Sequence, residues 1–192
     1  MITLQDFIDT GALLEGHFRL SSGLHSDRYL QCARLLMWPE RAAAAGKELA
    51  GKLSGFPVRF VVAPAMGGII IGHEVARAFE LPFVFAERQN GAFALRRGFR
   101  LSAGDPVVVI EDVFTTGKST REVIALVAAA GAKAIAAGSI VDRGLPPGAL
   151  GIPSRSLLTL DVPAWSETEC PLCAKGVPLD TPGSRYAMNQ GL

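Results

Sequence analysis

The middle of the chain alternates short apolar runs with stretches whose apolar residues recur at helical spacing. The apolar runs predict strands over residues 58–63, 82–86, 107–110, 133–141 and 157–162. The intervening stretches predict helices over residues 69–80 and 119–130, the second of which ends at Gly131. Strands that alternate with helices of this length are typical of βαβ units and of a mostly parallel sheet.

The two ends of the chain have a different pattern. Predicted helices at 4–10 and 40–53 flank a polar, turn-rich segment, residues 17–31, and the tail from residue 163 is rich in Pro, Gly and Cys. We therefore predict one α/β domain over residues 1–192, with a mostly parallel twisted sheet flanked by helices. A small hood, contributed by residues 1–56 and 163–192, is expected to cover the sheet.

Composition excludes several classes of protein. Of the 192 residues, 49% are hydrophobic and 19% are charged, which is typical of one folded domain. The net charge of +1 argues against a nucleic-acid-binding surface. No long uninterrupted apolar run and no export leader are visible, so no membrane partner is expected. Three cysteines form no even disulfide framework, which favours a cytoplasmic location.

The most informative stretch follows the strand predicted at 107–110. Glu111 and Asp112 come directly after this strand, and a loop of small hydroxyl residues with Gly117 leads into a helix. A helix start binds anions through its unpaired backbone N–H groups, while adjacent carboxylates suit sugar hydroxyls or Mg²⁺. The stretch is not a nucleotide-binding P-loop, because the position five before Gly117 is Asp112 rather than glycine.

This stretch resembles the phosphoribosyl pyrophosphate (PRPP) motif of type I phosphoribosyltransferases, in which an apolar strand and two acids precede T-T-G-x-S/T. The resemblance implies that Glu111 and Asp112 contact the ribose hydroxyls and that residues 115–119 enclose the 5′-phosphate. The PRPP-binding residues that it implies are Glu111, Asp112, Val113, Phe114, Thr115, Thr116, Gly117, Lys118, Ser119, Gly67 and Gly68. Mg²⁺ is the implied cofactor, carried by PRPP, with Asp112 as a candidate ligand.

Other stretches are similar to orotate phosphoribosyltransferases in particular. They are residues 16–26, 63–68, 85–88, 95–99, 140–143, 170–173 and 182–185. The resemblance implies transfer of the phosphoribosyl group from PRPP to orotate, giving orotidine 5′-monophosphate and pyrophosphate in pyrimidine biosynthesis. The implied orotate-binding residues are Thr115, Arg143, Ser22, Gly23 and Tyr29. A planar guanidinium can also bind the orotate carboxylate through two parallel hydrogen bonds. The alternative is that Arg143 is a solvated residue in a surface turn.

The segment 88–100 contains four arginines and no acid. The resemblance makes it a mobile loop in which Arg88, Arg96 and Arg97 are catalytic and act in a neighbouring subunit, which implies a homodimer. A cationic lid suits a pyrophosphate leaving group, and the alternative is a solvated hairpin. The sequence departs from the best-known members of the family at three positions. Those members have lysines where this chain has Ser21, Gly67 and Gln89.

The cysteines and histidines leave several interpretations open. Cys170-x-x-Cys173 is half of a zinc site. Cys32 or a histidine could complete the site in space, two halves could meet across a dimer, or the segment could be a tight turn with partly buried thiols. His25 lies in a polar turn, where a single histidine is more often at the surface, although it could also reach a ligand.

Two other functions remain as alternatives. A purine phosphoribosyltransferase would share the PRPP motif, but a purine has no carboxylate for Arg143. A regulator that binds PRPP without turnover should carry a nucleic-acid-binding module, for which a chain of 192 residues has little room.

Overall fold

A six-stranded sheet with helices on both faces forms the centre of the protein. The structure is a computed structural model that describes residues 1–20 and 22–182. Its strands are β1 (Leu13–Arg19), β2 (His25–Leu30), β3 (Phe60–Pro64), β4 (Phe83–Gln89), β5 (Ala92–Leu95), β6 (Pro106–Phe114), β7 (Lys133–Asp142) and β8 (Ser154–Thr159). Its helices are α1 (Leu4–Asp9), α2 (Cys32–Leu36), α3 (Pro39–Leu53), α4 (Gly68–Phe79), α5 (Lys118–Ala129) and α6 (Pro171–Ala174).

The sheet has the strand order β5-β4-β3-β6-β7-β8. Every neighbouring pair is parallel except β4 and β5, which form an antiparallel hairpin at one edge. The prediction of a mostly parallel sheet flanked by helices is therefore confirmed. Strand β6 lies between β3 and β7, so the residues that follow it emerge near the middle of the edge where ligands bind in such sheets.

Alternation along β6 divides the core between the two faces of the sheet. Val108 and Ile110 belong to the cluster that contains buried residues of α3 and α4. Val107 and Val109 belong to the cluster that contains Val123 and Val127 of α5. Successive side chains of a strand point to opposite faces, so this run of apolar residues is buried on both sides.

The segment predicted to be turn-rich, residues 17–31, contains most of an antiparallel hairpin formed by β1 and β2. The tail segment pairs with both strands: the N–H of Arg19 donates to the carbonyl of Asp180 at 2.9 Å, and that of His25 donates to Trp165 at 2.8 Å. We call residues 13–20, 22–30 and 162–182 the hood, a smaller set than the predicted 1–56 and 163–192, because α3 packs against α4 and the sheet. Its polar side chains obscured the strand pattern, because one side of the hairpin faces solvent.

Several element boundaries differ from those predicted. Strand β6 continues through both acidic residues to Phe114, and β8 begins at Ser154 rather than 157. Strand β5 was not predicted; it follows a tight turn in which Asn90 and Gly91 both have positive φ. Among the described helices, none is long and apolar enough to cross a membrane.

Candidate active site

The two acidic residues lie at the carboxyl end of β6. Glu111 is only 8% exposed, and its Oε1 accepts a hydrogen bond from the N–H of Asp112 at 3.2 Å. Asp112 Oδ1 accepts a hydrogen bond from the N–H of Val113 at 2.8 Å. Burial, followed by the neighbouring Asp112 carboxylate, raises the pKa of Glu111 to about 9. Burial also raises the pKa of Asp112. Two crowded carboxyl groups of this kind can accept hydrogen bonds from sugar hydroxyls.

The loop between β3 and α4 lies against these acids. A Cβ atom on Gly67 would come within 2.6 Å of Asp112 Oδ2, and one on Gly68 would come within 3.0 Å of the Ile110 carbonyl oxygen. A side chain at either position would therefore displace its neighbours, and glycine allows this close approach. The structure brings the predicted PRPP-binding glycines Gly67 and Gly68 and the acidic pair together.

The loop between β6 and α5 has the form of an anion site. Gly117 immediately precedes α5 with φ of +71°, in the left-handed region that glycine favours. Arg121 Nη1 donates to the Thr116 carbonyl oxygen at 2.8 Å and so fixes the loop from the first turns of the helix. The backbone N–H groups at the start of α5 have no intrahelical acceptors and are available to a phosphate.

Arg143 follows the end of β7, beside the phosphate loop. Its N–H donates to the Phe114 carbonyl oxygen at 2.8 Å. Asp142 Oδ1 accepts from the N–H groups of Gly144 at 2.9 Å and Leu145 at 2.7 Å, which fixes the turn. Burial lowers the pKa of Arg143. Its Nε is buried and has no hydrogen-bond partner within residues 1–20 and 22–182. A buried, unpaired guanidinium nitrogen is expected to bind an anion.

A cavity of about 470 Å³ separates the sheet from the hood. The sheet side is lined by Thr115, Thr116, Arg143, Gly144 and Pro146. The hood side is lined by Leu20, Ser22, Leu24, Val162 and Ala164. A mostly apolar cavity with one cation and a few hydroxyl groups suits a flat ring that carries a carboxylate.

Of the predicted orotate-binding residues, the structure brings Ser22, Thr115 and Arg143 into this cavity. Gly23 lies in the same turn as Ser22. Tyr29 lies on β2 with its ring 5.8 Å from that of Phe18, outside the lining of the cavity, and its contact with orotate stays a prediction. The apolar hood residues of the lining were missed, because nothing in their local sequence distinguishes them from other loop residues. Ser21 and residues 183–185 lie outside the described residues.

The arginines of the predicted lid lie on and beside the β4–β5 hairpin and do not line the cavity. Arg88 Nη2 is 2.6 Å from Glu122 Oε2 of α5, and its guanidinium carbon lies 4.1 Å from the Phe93 ring centre. Arg97 donates two hydrogen bonds to Glu87, at 2.8 and 2.9 Å, which lowers the pKa of that carboxyl. Arg96 makes no salt bridge with any residue in the described part of the chain. The catalytic role of these arginines stays a prediction.

This chain and its fold have clear counterparts among known proteins. A family model described as the phosphoribosyl transferase domain matches residues 31–146. An orotate phosphoribosyltransferase from Thermotoga maritima is 51% identical over 176 residues, covering 92% of this chain and 94% of that relative. One from Pelotomaculum thermopropionicum is 47% identical over 179 residues, covering 93% and 94%.

A solved structure gives the same result for the fold. The orotate phosphoribosyltransferase from Aeropyrum pernix superposes with a TM-score of 0.70 and 28% identity, over 81% of this chain and 92% of that one. The match to the domain defines the class, that of phosphoribosyl transferases. Within this class, the chain belongs to the orotate phosphoribosyltransferase family.

Proposed function

We infer that this chain transfers the phosphoribosyl group of PRPP to orotate, forming orotidine 5′-monophosphate and pyrophosphate in pyrimidine biosynthesis. The observation that carries this inference is Arg143, which lines a cavity bordered by the PRPP loop and whose buried Nε has no partner in the described chain. The orotate carboxylate supplies the anion that this guanidinium lacks.

On the donor side, the loop 115–119 and the start of α5 bind the 5′-phosphate through backbone N–H and hydroxyl groups. Glu111 and Asp112 accept hydrogen bonds from the ribose hydroxyls. Gly67 and Gly68 allow the backbone after β3 to approach the pyrophosphate, because no side chain intervenes. These contacts hold the anomeric carbon at the mouth of the cavity.

On the acceptor side, Arg143 and Thr115 orient the ring of orotate, and Ser22 with the apolar hood residues covers it. The bond from the anomeric carbon to the pyrophosphate oxygen breaks as the bond to the ring nitrogen forms, and the proton that this nitrogen loses passes to the departing pyrophosphate or to solvent. Positioning of the two substrates and stabilisation of the leaving pyrophosphate supply the catalysis, and no covalent nucleophile is needed.

Mg²⁺ fits the residues at the end of β6. Asp112 presents carboxylate oxygens beside the glycine loop, and oxygen ligands of this kind suit a hard cation that is also held by substrate phosphates. When bound, Mg²⁺ supplies charge neutralisation to the pyrophosphate. The part of Asp112 is to accept a hydrogen bond from the ribose or to contact the ion.

The proposal also covers the arginines of the predicted mobile loop, the oligomeric state and the cellular location. Arg88, Arg96 and Arg97 lie outside the cavity of their own chain, which supports a homodimer in which this hairpin serves the neighbouring site. Backbone hydrogen bonds join the N-terminal hairpin to the tail at both of its strands, which supports a single domain over residues 1–192. Free thiols at Cys32, Cys170 and Cys173 fit a reducing cytoplasm.

The test is to mix the protein with Mg²⁺ and PRPP and to follow the ultraviolet absorbance of orotate. Consumption of orotate that requires PRPP, with release of pyrophosphate, is the expected result. Parallel reactions receive adenine, guanine or hypoxanthine instead. Turnover of a purine but not of orotate would identify a purine phosphoribosyltransferase, and tight PRPP binding without any turnover would identify a regulator.

A further inference from the structure

Four side chains in the hood, far from the acidic pair, form a compact cluster of metal-ligating type. They are His17 of β1, His25 of β2, Cys170 and Cys173, and their ligand atoms all lie within 4.8 Å of one another. His17 and His25 are each 3% exposed and Cys170 is 2% exposed. The expectation that His25 lies at the surface was therefore wrong: pairing of β2 with the tail buries its ring.

Four distances within the cluster, 3.1–3.7 Å, are close to those of a tetrahedral zinc site, and small shifts of the side chains would complete it. His17 Nε2 is 3.1 Å from His25 Nδ1 and 3.5 Å from Cys170 Sγ. Cys173 Sγ is 3.2 Å from His25 Nδ1 and 3.7 Å from His17 Nε2. With Zn–N bonds of about 2.0–2.1 Å and Zn–S bonds of about 2.3 Å, a tetrahedron places its ligand atoms roughly 3.3–3.8 Å apart.

Surrounding contacts orient the ligand atoms towards one point. His17 Nδ1 lies 2.8 Å from the Val177 carbonyl oxygen, which can only accept, so Nδ1 carries the proton and Nε2 presents its lone pair to the cluster. Backbone hydrogen bonds between His25 and Trp165, at 2.8 and 2.9 Å, fix the second imidazole beside the tail. Support of ligating histidines by carbonyl oxygens is usual in protein metal sites.

We propose that His17, His25, Cys170 and Cys173 bind one structural Zn²⁺ ion that joins the N-terminal hairpin to the C-terminal segment. Two imidazole nitrogens and two sulfurs in a tetrahedron suit Zn²⁺, whereas Mg²⁺ and Ca²⁺ prefer oxygen ligands. Four protein ligands close the coordination sphere, so the ion is structural and takes no part in the transfer reaction. Both thiols bind as thiolates and release their protons to solvent.

The proposed ion is held by residues that are close in sequence to the hood residues lining the cavity. His17 and His25 flank the turn of the hairpin, and Leu20, Ser22 and Leu24 of that turn line the cavity. Val162 and Ala164, on the tail side, precede Trp165, which pairs with His25. One ion therefore fastens both parts of the hood wall, which the short hairpin alone would hold weakly.

The first test is metal analysis of untagged protein, purified under reducing conditions without chelators. We expect about one zinc ion per chain by mass spectrometry. After exchange, Co²⁺ should give the visible bands of a tetrahedral ion and a thiolate-to-cobalt band in the near ultraviolet. Wild-type protein that retains no zinc and gives no such bands would overturn the proposal, as would a disulfide between Cys170 and Cys173 under these conditions.

Variants assign the ion to these ligands, with controls that the chain itself provides. Cys170→Ala and His25→Gln should lose the zinc, whereas Cys32→Ala and His73→Gln should retain it, because Cys32 and His73 are the remaining cysteine and histidine. Zinc that stays in both cluster variants, or that leaves both controls, would contradict the assignment. The cobalt spectrum of the wild type decides the matter even if a cluster variant fails to fold.

Discussion

In the proposed function, Arg143 is the residue on which orotate recognition depends most directly. Its backbone is fixed by Phe114 and by the turn that Asp142 closes, whereas its Nε has no partner in the described chain. A half-buried guanidinium whose Nε lacks a partner is costly, and a substrate that supplies an anion would offset this cost.

We predict that Arg143→Ala raises the KM for orotate roughly 100-fold, the loss of a charge-assisted pair, and changes the KM for PRPP much less. Initial rates with each substrate varied in turn measure both constants. Arg155→Ala is the matched control, because Arg155 lies on β8 and its Nη1 bonds to the backbone carbonyl of Ser154. Equal increases in the two KM values would break the assignment of Arg143 to orotate.

Glu111, a proposed ribose-binding residue, is expected to reduce the stability of the ligand-free protein at neutral and alkaline pH. Burial and Asp112 raise its pKa to about 9 in the folded protein, from an ordinary value of 4.5. Between these values the unfolded chain releases the proton while the folded protein keeps it, so the contribution of Glu111 to stability is present below the lower value and falls as the pH rises.

We therefore predict that Glu111→Gln, which does not titrate, stabilises the ligand-free protein by roughly 1–3 kcal/mol at about pH 8, and that the gain disappears near about pH 4. Thermal unfolding of both proteins across this range measures the difference. Glu15→Gln, at an exposed position of β1, controls for the loss of one acid. A lower melting temperature for Glu111→Gln at alkaline pH would contradict the argument.

At the scale of elements, Gly117 lies where the proposed phosphate loop, residues 115–119, leads into α5. A Cβ on Gly117 would come within 2.7 Å of Leu145 Cδ1 and 2.8 Å of Leu150 Cδ2, and its φ of +71° disfavours any side chain. Gly131, at the other end of α5, has φ of +83°, but a Cβ there would make only ordinary contacts with Ala103.

Gly117→Ala and Gly131→Ala should each lose about 1–2 kcal/mol of stability from left-handed strain, the former more because of its contacts. Only Gly117→Ala should raise the KM for PRPP, since its loop binds the phosphate. Chemical denaturation and initial rates measure the two effects. If Gly117→Ala left the KM for PRPP unchanged, the loop would not be the phosphate site.

The sequence predicted the elements whose pattern is local. Apolar runs identified β3, β6 and β7, and helical spacing identified α4 and α5, because burial on both faces of a sheet or on one stripe of a helix appears in a short window. The hairpin of β1 and β2 was not predicted because its polar, solvent-facing side chains obscure the strand pattern, and its pairing with the tail joins residues 140 positions or more apart.

The residues of the candidate site also fall into two groups, those that belong to a local motif and those that only the fold brings together. Glu111, Asp112 and Gly117 belong to one continuous motif and were identified from it. Apolar cavity residues such as Leu24 and Val162 acquire their role only when the hood folds onto the sheet. The same folding brings His17 and His25 to Cys170 and Cys173, which the spacing of the cysteines alone left open.

At the scale of the whole molecule, the position of the lid arginines favours an assembly. Within its own chain, Arg88 is held by Glu122 and Phe93, and Arg97 by Glu87, so the hairpin is fixed on the side of α5. Arg96 makes no salt bridge with the described residues and remains a cation that a neighbouring copy can use. The pyrophosphate leaving group requires such a charge.

Subunit mixing tests this arrangement. Asp112→Ala inactivates the donor site but leaves the lid intact, and Arg96→Ala removes the lid charge but leaves the donor site intact. If the lid acts across a symmetric dimer, each mixed dimer has one complete site, so equal mixing should restore about a quarter of wild-type activity. Asp112→Ala mixed with Arg143→Ala is the control, because both changes damage the same half of the site and no complete site can form. Failure of the first mixture to regain activity, when subunit exchange is demonstrated by size and mass, would place the lid over the site of its own chain.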